Sequence, residues 1–236
     1  MNLLTYIYDK VHAARQRDDE YRPFNLISTV SGDPNRFIKR MYEQSTIVLV
    51  IGRRGSGKTA FGMRLLEAFD RQVLGRGCYA IGYEAAELPA WIHKIEDVYS
   101  APSNSVVLVD EGAILFSARD SQSEANKGVG KLMAVARHNN LSLFLITQNT
   151  AMIDVNVLRL ADTLIVKQPS LMQMKFERKQ LRDLYIKAVP EFESFKGIAK
   201  KQNFYVIDDE YQGFMSAGLP EFWTEKISRS FESFGG

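Results

Sequence analysis

A glycine-rich segment, Gly52 to Thr59, constrains this chain more than any other feature. It reads GRRGSGKT and directly follows the apolar run Ile47–Ile51. A first glycine, four further residues and then Gly-Lys-Thr form the phosphate-binding loop pattern. Glycines let the backbone wrap closely round an anion, and the N–H groups of the loop and of the next helix N-terminus bind phosphate. A chance glycine-rich turn would not explain the strand pattern before it and the helix pattern after it. The sequence therefore predicts a nucleotide site.

The loop side chains have separate predicted tasks. Lys58 can reach the β- and γ-phosphates as a point charge, and the Thr59 hydroxyl can bind Mg²⁺. Arg53 and Arg54 occupy variable loop positions, where contact with phosphate and exposure to solvent are both open. The predicted cofactors are ATP and Mg²⁺. The predicted nucleotide-binding residues are Gly52, Gly55, Ser56, Gly57, Lys58, Thr59 and Ala60.

Two carboxylates, Asp110 and Glu111, end the apolar run 106–109. A continuous apolar run is typical of a parallel strand buried on both faces, and open α/β sheets bind ligands at the carboxyl ends of their strands. Asp110 is therefore a predicted ligand of Mg²⁺ through water. Glu111 is the predicted base that polarises a water for attack on the γ-phosphate. A solvated acidic turn is the alternative that the motif alone leaves open.

Gln148 ends a further apolar run, 141–147, and is predicted to lie beside the γ-phosphate. It would sense that phosphate or orient the water, and an ordinary turn glutamine is the alternative. One predicted strand, 78–83, lies between the loop and Asp110, and Gln148 ends the next strand after Asp110. This order resembles the additional-strand class of phosphate-loop ATPases. Small-molecule kinases more often lack the glutamate.

The chain alternates strand and helix patterns from residue 45 onward. This alternation predicts an α/β P-loop NTPase fold with a mostly parallel sheet flanked by helices. The predicted strands are 46–51, 78–83, 105–110, 142–148 and 163–167. The predicted helices are 58–70, 87–98 and 128–139, with a mobile polar loop over 121–130.

The segments on either side of this predicted ATPase core, 45–169, differ from it in character. Residues 1–44 are predicted to form an N-terminal extension with an amphipathic helix followed by loops. The basic cluster Arg36, Lys39 and Arg40 within it favours a solvated helix face. Residues 170–236 are predicted to form a small α+β appendage, with a surface helix over 172–189 and a hairpin that pairs 204–207 with 213–216. At 236 residues, the chain is expected to be one domain overall.

Composition excludes several classes of protein. Lys and Arg number 30 against 28 Asp and Glu, and the resulting net charge of +2 is too small to imply a nucleic-acid partner by itself. The single cysteine, Cys78, excludes an internal disulfide framework and a cysteine-based zinc site. No apolar run approaches the roughly 18 residues of a membrane span, so none is expected, and the cytoplasm is the default compartment.

A wider resemblance covers roughly residues 46–168. The segments VVLVDEGAILF from Val106 and ARHNNLSLFLITQ from Ala136, followed by Asp154-Val155, resemble the core of the FtsK/HerA family of DNA-pumping ATPases. In that family the second carboxylate is the catalytic base, the strand-end glutamine is a sensor, and an arginine before that strand can serve the neighbouring subunit. Together with Lys58, the predicted catalytic residues are thus Glu111, Gln148 and Arg137, and Arg119 and Arg159 are weaker candidates for the arginine.

Two branches of the family suit a chain of this size. It resembles the viral genome-packaging ATPases, and the related branch is that of filamentous-phage assembly proteins similar to zonula occludens toxin. The expected lack of a membrane span counts against the second branch. The resemblance implies ATP-driven translocation of double-stranded DNA by a homo-oligomeric ring, expected to be a hexamer, in the host cytoplasm or associated with the virion. A capsid or membrane protein of the virion is a further candidate partner.

The DNA-contacting segment and the substrate stay open at this level. The loop 117–130, with Arg119, Lys127 and Lys131, is the candidate for lining the DNA channel, and a solvated loop is an equally good interpretation. One rival function is a virion-assembly or secretion ATPase that moves protein. Another is a nucleotide-dependent switch or a small-molecule kinase.

Overall fold

In the computed structural model, the described residues (20–83, 86–109, 122–148, 155–176 and 179–227) contain nine strands in one mixed sheet. The strands are β1 (Asn25–Gly32), β2 (Ile47–Ile51), β3 (Cys78–Ile81), β4 (Ile92–Lys94), β5 (Val106–Val109), β6 (Ser142–Thr147), β7 (Thr163–Val166), β8 (Asn203–Asp208) and β9 (Tyr211–Ser216). The helices are α1 (Pro34–Glu43), α2 (Lys58–Gln72), α3 (Gln122–His138), α4 (Val155–Leu160), α5 (Leu171–Phe176), α6 (Lys179–Ser194) and α7 (Ala199–Gln202).

The order of the strands is β1-β9-β8-β7-β2-β6-β5-β3-β4. Neighbouring strands from β7 to β4 run parallel, whereas β8, β9 and β1 extend the sheet by antiparallel pairs. Strand β6 lies between β2, which leads into the glycine-rich loop, and β5, which leads into the acidic pair. This insertion confirms the predicted fold class, an α/β P-loop NTPase of the additional-strand type.

Apolar layers on both faces of the sheet explain the continuous apolar runs of its central strands. All five residues of β2 are buried. Ile47, Leu49 and Ile51 belong to the apolar layer on one face, and Val48 and Val50 to the layer on the other. Successive side chains of a strand point to opposite faces, so a strand covered on both sides needs apolar residues at every position.

Five predicted core strands are confirmed as β2, β3, β5, β6 and β7, and the predicted helix 58–70 is confirmed as α2. The helix predicted over 87–98 is wrong. Its residues instead form β4, which pairs in parallel with β3, and a 3₁₀ turn at Val98–Ser100. The Asp97 carboxylate accepts a hydrogen bond of 2.9 Å from the Ser100 N–H. Pairing with the sheet and this local turn override the weaker helical preference of the segment.

The mobile loop predicted over 121–130 is also wrong, because α3 already begins at Gln122. The second half of the helix packs Met133 and Ala136 into the core. Tertiary packing of that half sustains the polar, glycine-bearing first half as helix. The candidate DNA-contacting loop is therefore helical from 122 onward, and its residues 117–121 lie outside the described residues. Lys131 is exposed on this helix.

The N-terminal segment contributes a strand that the sequence analysis missed. The helix predicted near the N-terminus lies outside the described residues, which begin at residue 20. Strand β1 pairs with β9, whose residues lie 179 to 191 positions further along the chain. It is almost wholly exposed, so it lacks the alternation by which a half-buried strand is recognised. After it, Asp33 caps α1 by accepting a 2.8 Å hydrogen bond from the Asn35 N–H.

The basic cluster on α1 is only partly a solvated face. Arg36 and Lys39 are exposed, but the Arg40 guanidinium forms an ion pair with Asp208, whose side chain is fully buried. Arg40 also donates a 3.2 Å hydrogen bond to the Thr163 hydroxyl. The interpretation of Arg40 as solvated is therefore wrong, and its charge joins α1 to β7 and β8.

The predicted C-terminal elements are present in the described residues. Strands β8 and β9 form the predicted hairpin, and β8 pairs with β7, so the hairpin continues the sheet of the core. The surface helix predicted over 172–189 corresponds to α5 and α6, on either side of residues 177–178, which are not described. Among the described helices, none is both long and apolar enough to cross a bilayer.

Candidate nucleotide-binding site

The glycine-rich loop joins β2 to α2 at the carboxyl edge of the parallel strands. Gly57 is the N-cap of α2, with a left-handed φ of 83°, and no side chain caps the helix. The first turn of α2 contains no acidic residue. The positive end of the helix dipole therefore faces the loop without a competing carboxylate from that turn, which suits an anion.

Lys58 and Ser56 give the loop its polar interior. The Lys58 side chain is mostly buried, and its ammonium donates hydrogen bonds to the carbonyl oxygens of Gly52, at 3.0 Å, and Arg53, at 2.9 Å. The ammonium thus spans the loop, where phosphate oxygens would be stronger acceptors. The Ser56 hydroxyl is buried and has no hydrogen-bond partner among the described residues. A buried polar atom without a partner needs a ligand or water, so these residues fit a bound phosphate.

Two glycines of the loop make a matched pair for mutation. Gly55 (φ 73°) and Gly57 (φ 83°) are both left-handed, but they differ in free space. A methyl group at Gly55 would meet nothing within 4 Å, whereas one at Gly57 would lie 2.8 Å from the Lys201 carbonyl oxygen. In Gly55→Ala, we expect only the conformational cost of placing alanine in the left-handed region, about 1–2 kcal/mol. Gly57→Ala adds a clash with backbone, and its nucleotide affinity should fall at least about tenfold further.

Isothermal titration of both variants with ATP, under conditions that block hydrolysis, measures this difference. Circular dichroism of the free proteins serves as the control for folding. Equal losses of affinity in the two variants would contradict the close contact between the loop and the Lys201 carbonyl.

Gln148 lies at the same sheet edge as the loop. It directly follows Thr147, which pairs with Ile51, the residue before Gly52. Its side chain is exposed, and its backbone carbonyl accepts a 3.2 Å hydrogen bond from the Gln173 amide. The structure therefore brings Gln148 to the loop, and its role toward the γ-phosphate stays a prediction.

The acidic pair lies outside the described residues, as does Arg119. Strand β5 ends at Val109, directly before Asp110 and Glu111. Of the two predicted Mg²⁺ ligands, Thr59 is described, half-buried in the first turn of α2. No cluster of three His, Cys, Asp or Glu side chains capable of binding a metal occurs in the described ranges. Thr59 and Asp110 therefore stay the predicted Mg²⁺ ligands.

Arg137 lies in the last turn of α3, at the sheet edge opposite the loop. Its guanidinium donates hydrogen bonds to the Leu160 carbonyl, at 2.7 Å, and to the Asp162 carboxylate, at 3.3 Å. Asp162 in turn accepts a 2.7 Å hydrogen bond from the N–H of Ile47, the first residue of β2. Arg159 is exposed at the end of α4. The structure therefore does not bring Arg137 to the loop of its own chain.

Sequence analysis missed Lys167, which directly follows β7 and is almost fully buried beside the loop. Burial, and secondarily the positive charge of Lys58, lowers the pKa of Lys167 to about 7. The available signal was a lysine that ends the apolar run of a predicted strand at the carboxyl edge of the sheet. Such a position also suits an ordinary strand end, so the pattern alone does not distinguish the two.

Similarity to known proteins bears on this arrangement. Residues 84–181 match the Zonular occludens toxin (Zot) family. The Zot match covers less than half of the chain and begins after the glycine-rich loop. It falls on the assembly branch, against which the expected lack of a membrane span counts. No curated protein matches the chain.

Solved structures extend the likeness beyond the Zot segment. The genome packaging NTPase B204 from Sulfolobus turreted icosahedral virus 2, in complex with sulfate, is 16% identical, with a TM-score of 0.50 over 74% of this chain and 98% of that one. The pCW3 conjugation coupling protein TcpA, a monomer form with ATPγS, is 11% identical, with a TM-score of 0.50 over 80% of this chain and 65% of that one. At these identities the likeness concerns the fold alone. The predicted resemblance to packaging and Zot-like ATPases is confirmed at that level.

Proposed function

We propose that the chain is an ATPase that translocates double-stranded DNA and works as a homo-oligomeric ring. One observation carries the proposal: the Lys58 loop and Gln148 share the carboxyl edge of a sheet in which β6 lies between β2 and β5. This arrangement would suit hydrolysis, because Gln148 at this edge is proposed to act on a phosphate bound in the loop. Glu111, by its place in the sequence after the strand β5, is the proposed base, and Thr59 with Asp110 is the proposed pair for Mg²⁺.

DNA is the proposed substrate because of how two proteins with similar folds are described. B204 from Sulfolobus turreted icosahedral virus is described as a DNA-packaging ATPase, and it is 14% identical with a TM-score of 0.50. TcpA is described as a conjugation coupling protein. A net charge of +2 gives this chain no overall attraction for DNA, so binding would rely on local lysine and arginine contacts to phosphates.

The ATPase rate with and without duplex DNA tests the proposed function. We expect Mg²⁺-dependent hydrolysis that duplex DNA stimulates, and stimulation that declines steeply as the salt concentration rises. Single-stranded DNA of the same length and base composition is the matched control. Hydrolysis that is indifferent to duplex DNA at low salt would contradict the DNA part of the proposal and leave the ATPase part standing.

The Zot match supports a second candidate, an assembly ATPase that moves protein. The two candidates share the nucleotide site and differ in the substrate that accelerates hydrolysis. Stimulation by a virion protein, with none by DNA, would favour the second.

Arg137 is the proposed arginine that acts on the neighbouring subunit's nucleotide, and mixing of variants tests it. Arg137→Ala subunits keep Glu111, and Glu111→Gln subunits keep Arg137. Such an arginine can be worth about 10³ to 10⁵ in rate, so each variant alone should be nearly inactive. In mixed rings some interfaces combine an intact base with an intact arginine. Part of the ATPase activity should then return.

Arg137 also bonds within its own chain, so the mixing experiment needs controls. Thermal unfolding of Arg137→Ala reports the loss of the contacts to Leu160 and Asp162. Arg159→Ala removes a nearby exposed arginine and should keep its activity. Normal hydrolysis by Arg137→Ala alone, or proven subunit exchange without recovery, would count against the role across subunits.

A further inference from the structure

Lys167 joins the end of β7 to the start of the glycine-rich loop. Its N–H donates a 2.7 Å hydrogen bond to the Ile51 carbonyl, so the pairing of β7 with β2 continues up to the loop. The next residue continues this contact, since the Gln168 carbonyl accepts a 3.1 Å hydrogen bond from the Arg53 N–H. A methyl group built at Gly52 would lie 2.8 Å from the Lys167 Cβ. The start of the loop, at Gly52, therefore packs directly against Lys167.

The Lys167 ammonium is buried and has no counter-ion among the described residues. The side chain is 1% exposed, and its Nζ donates a 2.6 Å hydrogen bond to the Lys201 carbonyl. The rings of Phe61 and Phe204 lie 5.4 Å and 5.7 Å from Nζ. No carboxylate pairs with it in the part of the chain that the structure describes. A buried ammonium with one acceptor and two aromatic faces is poorly compensated.

The same Lys201 carbonyl also touches the loop. It lies 2.8 Å from the position of a methyl group at Gly57, the N-cap of α2. Lys167 therefore contacts the loop near Gly52 and holds the carbonyl that lies against Gly57. Strand β8 begins two residues after Lys201, so this carbonyl ties the loop to the C-terminal hairpin.

We propose that Lys167 is a positioning residue of the nucleotide site, which fixes the loop between Gly52 and Gly57 and places a second positive charge beneath the bound phosphates. The proposal rests on the nucleotide site proposed above. A triphosphate in the loop would supply an anion to Lys167, which pairs with no carboxylate among the described residues, and their attraction would be strong because the surroundings exclude water. Lys58 contacts the phosphates from within the loop, and Lys167 acts on them through the loop.

Two variants of Lys167 test the proposal. Lys167→Met keeps the length of the stem and removes the ammonium, and Lys167→Gln also keeps a hydrogen-bond donor. Lys39→Met is the matched control, because it removes the same charge from an exposed position on α1. Titration calorimetry with ATP and ADP, without hydrolysis, measures affinity, and thermal unfolding of the free proteins measures stability.

We expect both Lys167 variants to bind ATP at least about tenfold more weakly than wild type and Lys39→Met, which is about 1.4 kcal/mol. The loss should be larger for ATP than for ADP, since ATP carries more negative charge. The unfolding temperature of the free Lys167→Met protein should not fall, because the uncompensated buried charge is gone.

Three results would overturn the proposal. The first is wild-type ATP affinity in both Lys167 variants. The second is an affinity that Lys167→Gln restores and Lys167→Met does not, since the residue would then act only as a hydrogen-bond donor. The third is a fall in unfolding temperature together with equal losses of affinity for ATP and ADP. That combination would indicate a purely structural role. Absence of ATP binding by the wild-type protein would instead contradict the proposed nucleotide site itself.

Discussion

Lys58→Ala is expected to abolish ATP hydrolysis and to weaken nucleotide binding. The Lys58 ammonium bonds to two loop carbonyls and is the cation of the loop interior. Hydrogen bonds to a charged group contribute about 1.5–3 kcal/mol each, so affinity for ATP should fall by roughly ten- to a hundredfold. Turnover should fall further, by at least about 10² to 10³, because the lysine also stabilises charge that develops on the γ-phosphate.

Steady-state release of phosphate and calorimetric titration with ATP measure the two effects separately. Lys39→Ala is the matched control, since it removes an exposed lysine on α1, outside the loop. Turnover at the wild-type rate in Lys58→Ala would refute the assignment of the loop as the catalytic nucleotide site.

Glu111→Gln is expected to bind ATP and to hydrolyse it very slowly. The substitution removes the base that polarises the attacking water and leaves the loop residues in place. General-base catalysis is typically worth about 10² to 10⁴ in rate, so turnover should fall by that factor. Affinity for ATP should stay within roughly tenfold of wild type, or about 1.4 kcal/mol.

A single-turnover experiment with labelled ATP separates binding from the chemical step in this variant. Glu96→Gln, which changes the same charge at an exposed position, is the control. A collapse of affinity together with turnover would mean that Glu111 supports the structure of the site rather than the reaction.

The sequence was informative where function or burial dictates residue types locally. The loop from Gly52 to Thr59 needs glycines, a lysine and a hydroxyl at fixed spacing, and a strand buried on both faces needs an apolar run. The glycine-rich loop, α2 and the five core strands could therefore be predicted. Gln148 followed from the same logic, because it ends one of those strands at the loop edge. The inserted position of β6 followed only from the resemblance to the additional-strand class.

The missed features depend on residues far apart in the chain. Strand β1 is defined by its pairing with β9, and β4 by its place beside β3. Arg40 looked like a surface cation, and its partner Asp208 lies 168 positions away. Lys167 looked like a strand end, and only the fold brings the Lys201 carbonyl and the two aromatic rings to its ammonium. Local sequence patterns do not indicate contacts between residues far apart in the chain, so the sequence alone does not reveal them.

Displacement of a triplex-forming strand from duplex DNA tests whether the protein moves along DNA. A protein that moves along duplex DNA with ATP removes a third strand bound further along, and the delay before removal grows with the length of duplex to be crossed. We expect ATP-dependent displacement by wild type, with a delay proportional to that length, and none by Lys58→Ala or Glu111→Gln. DNA-stimulated hydrolysis by wild type with no displacement at any length would contradict translocation.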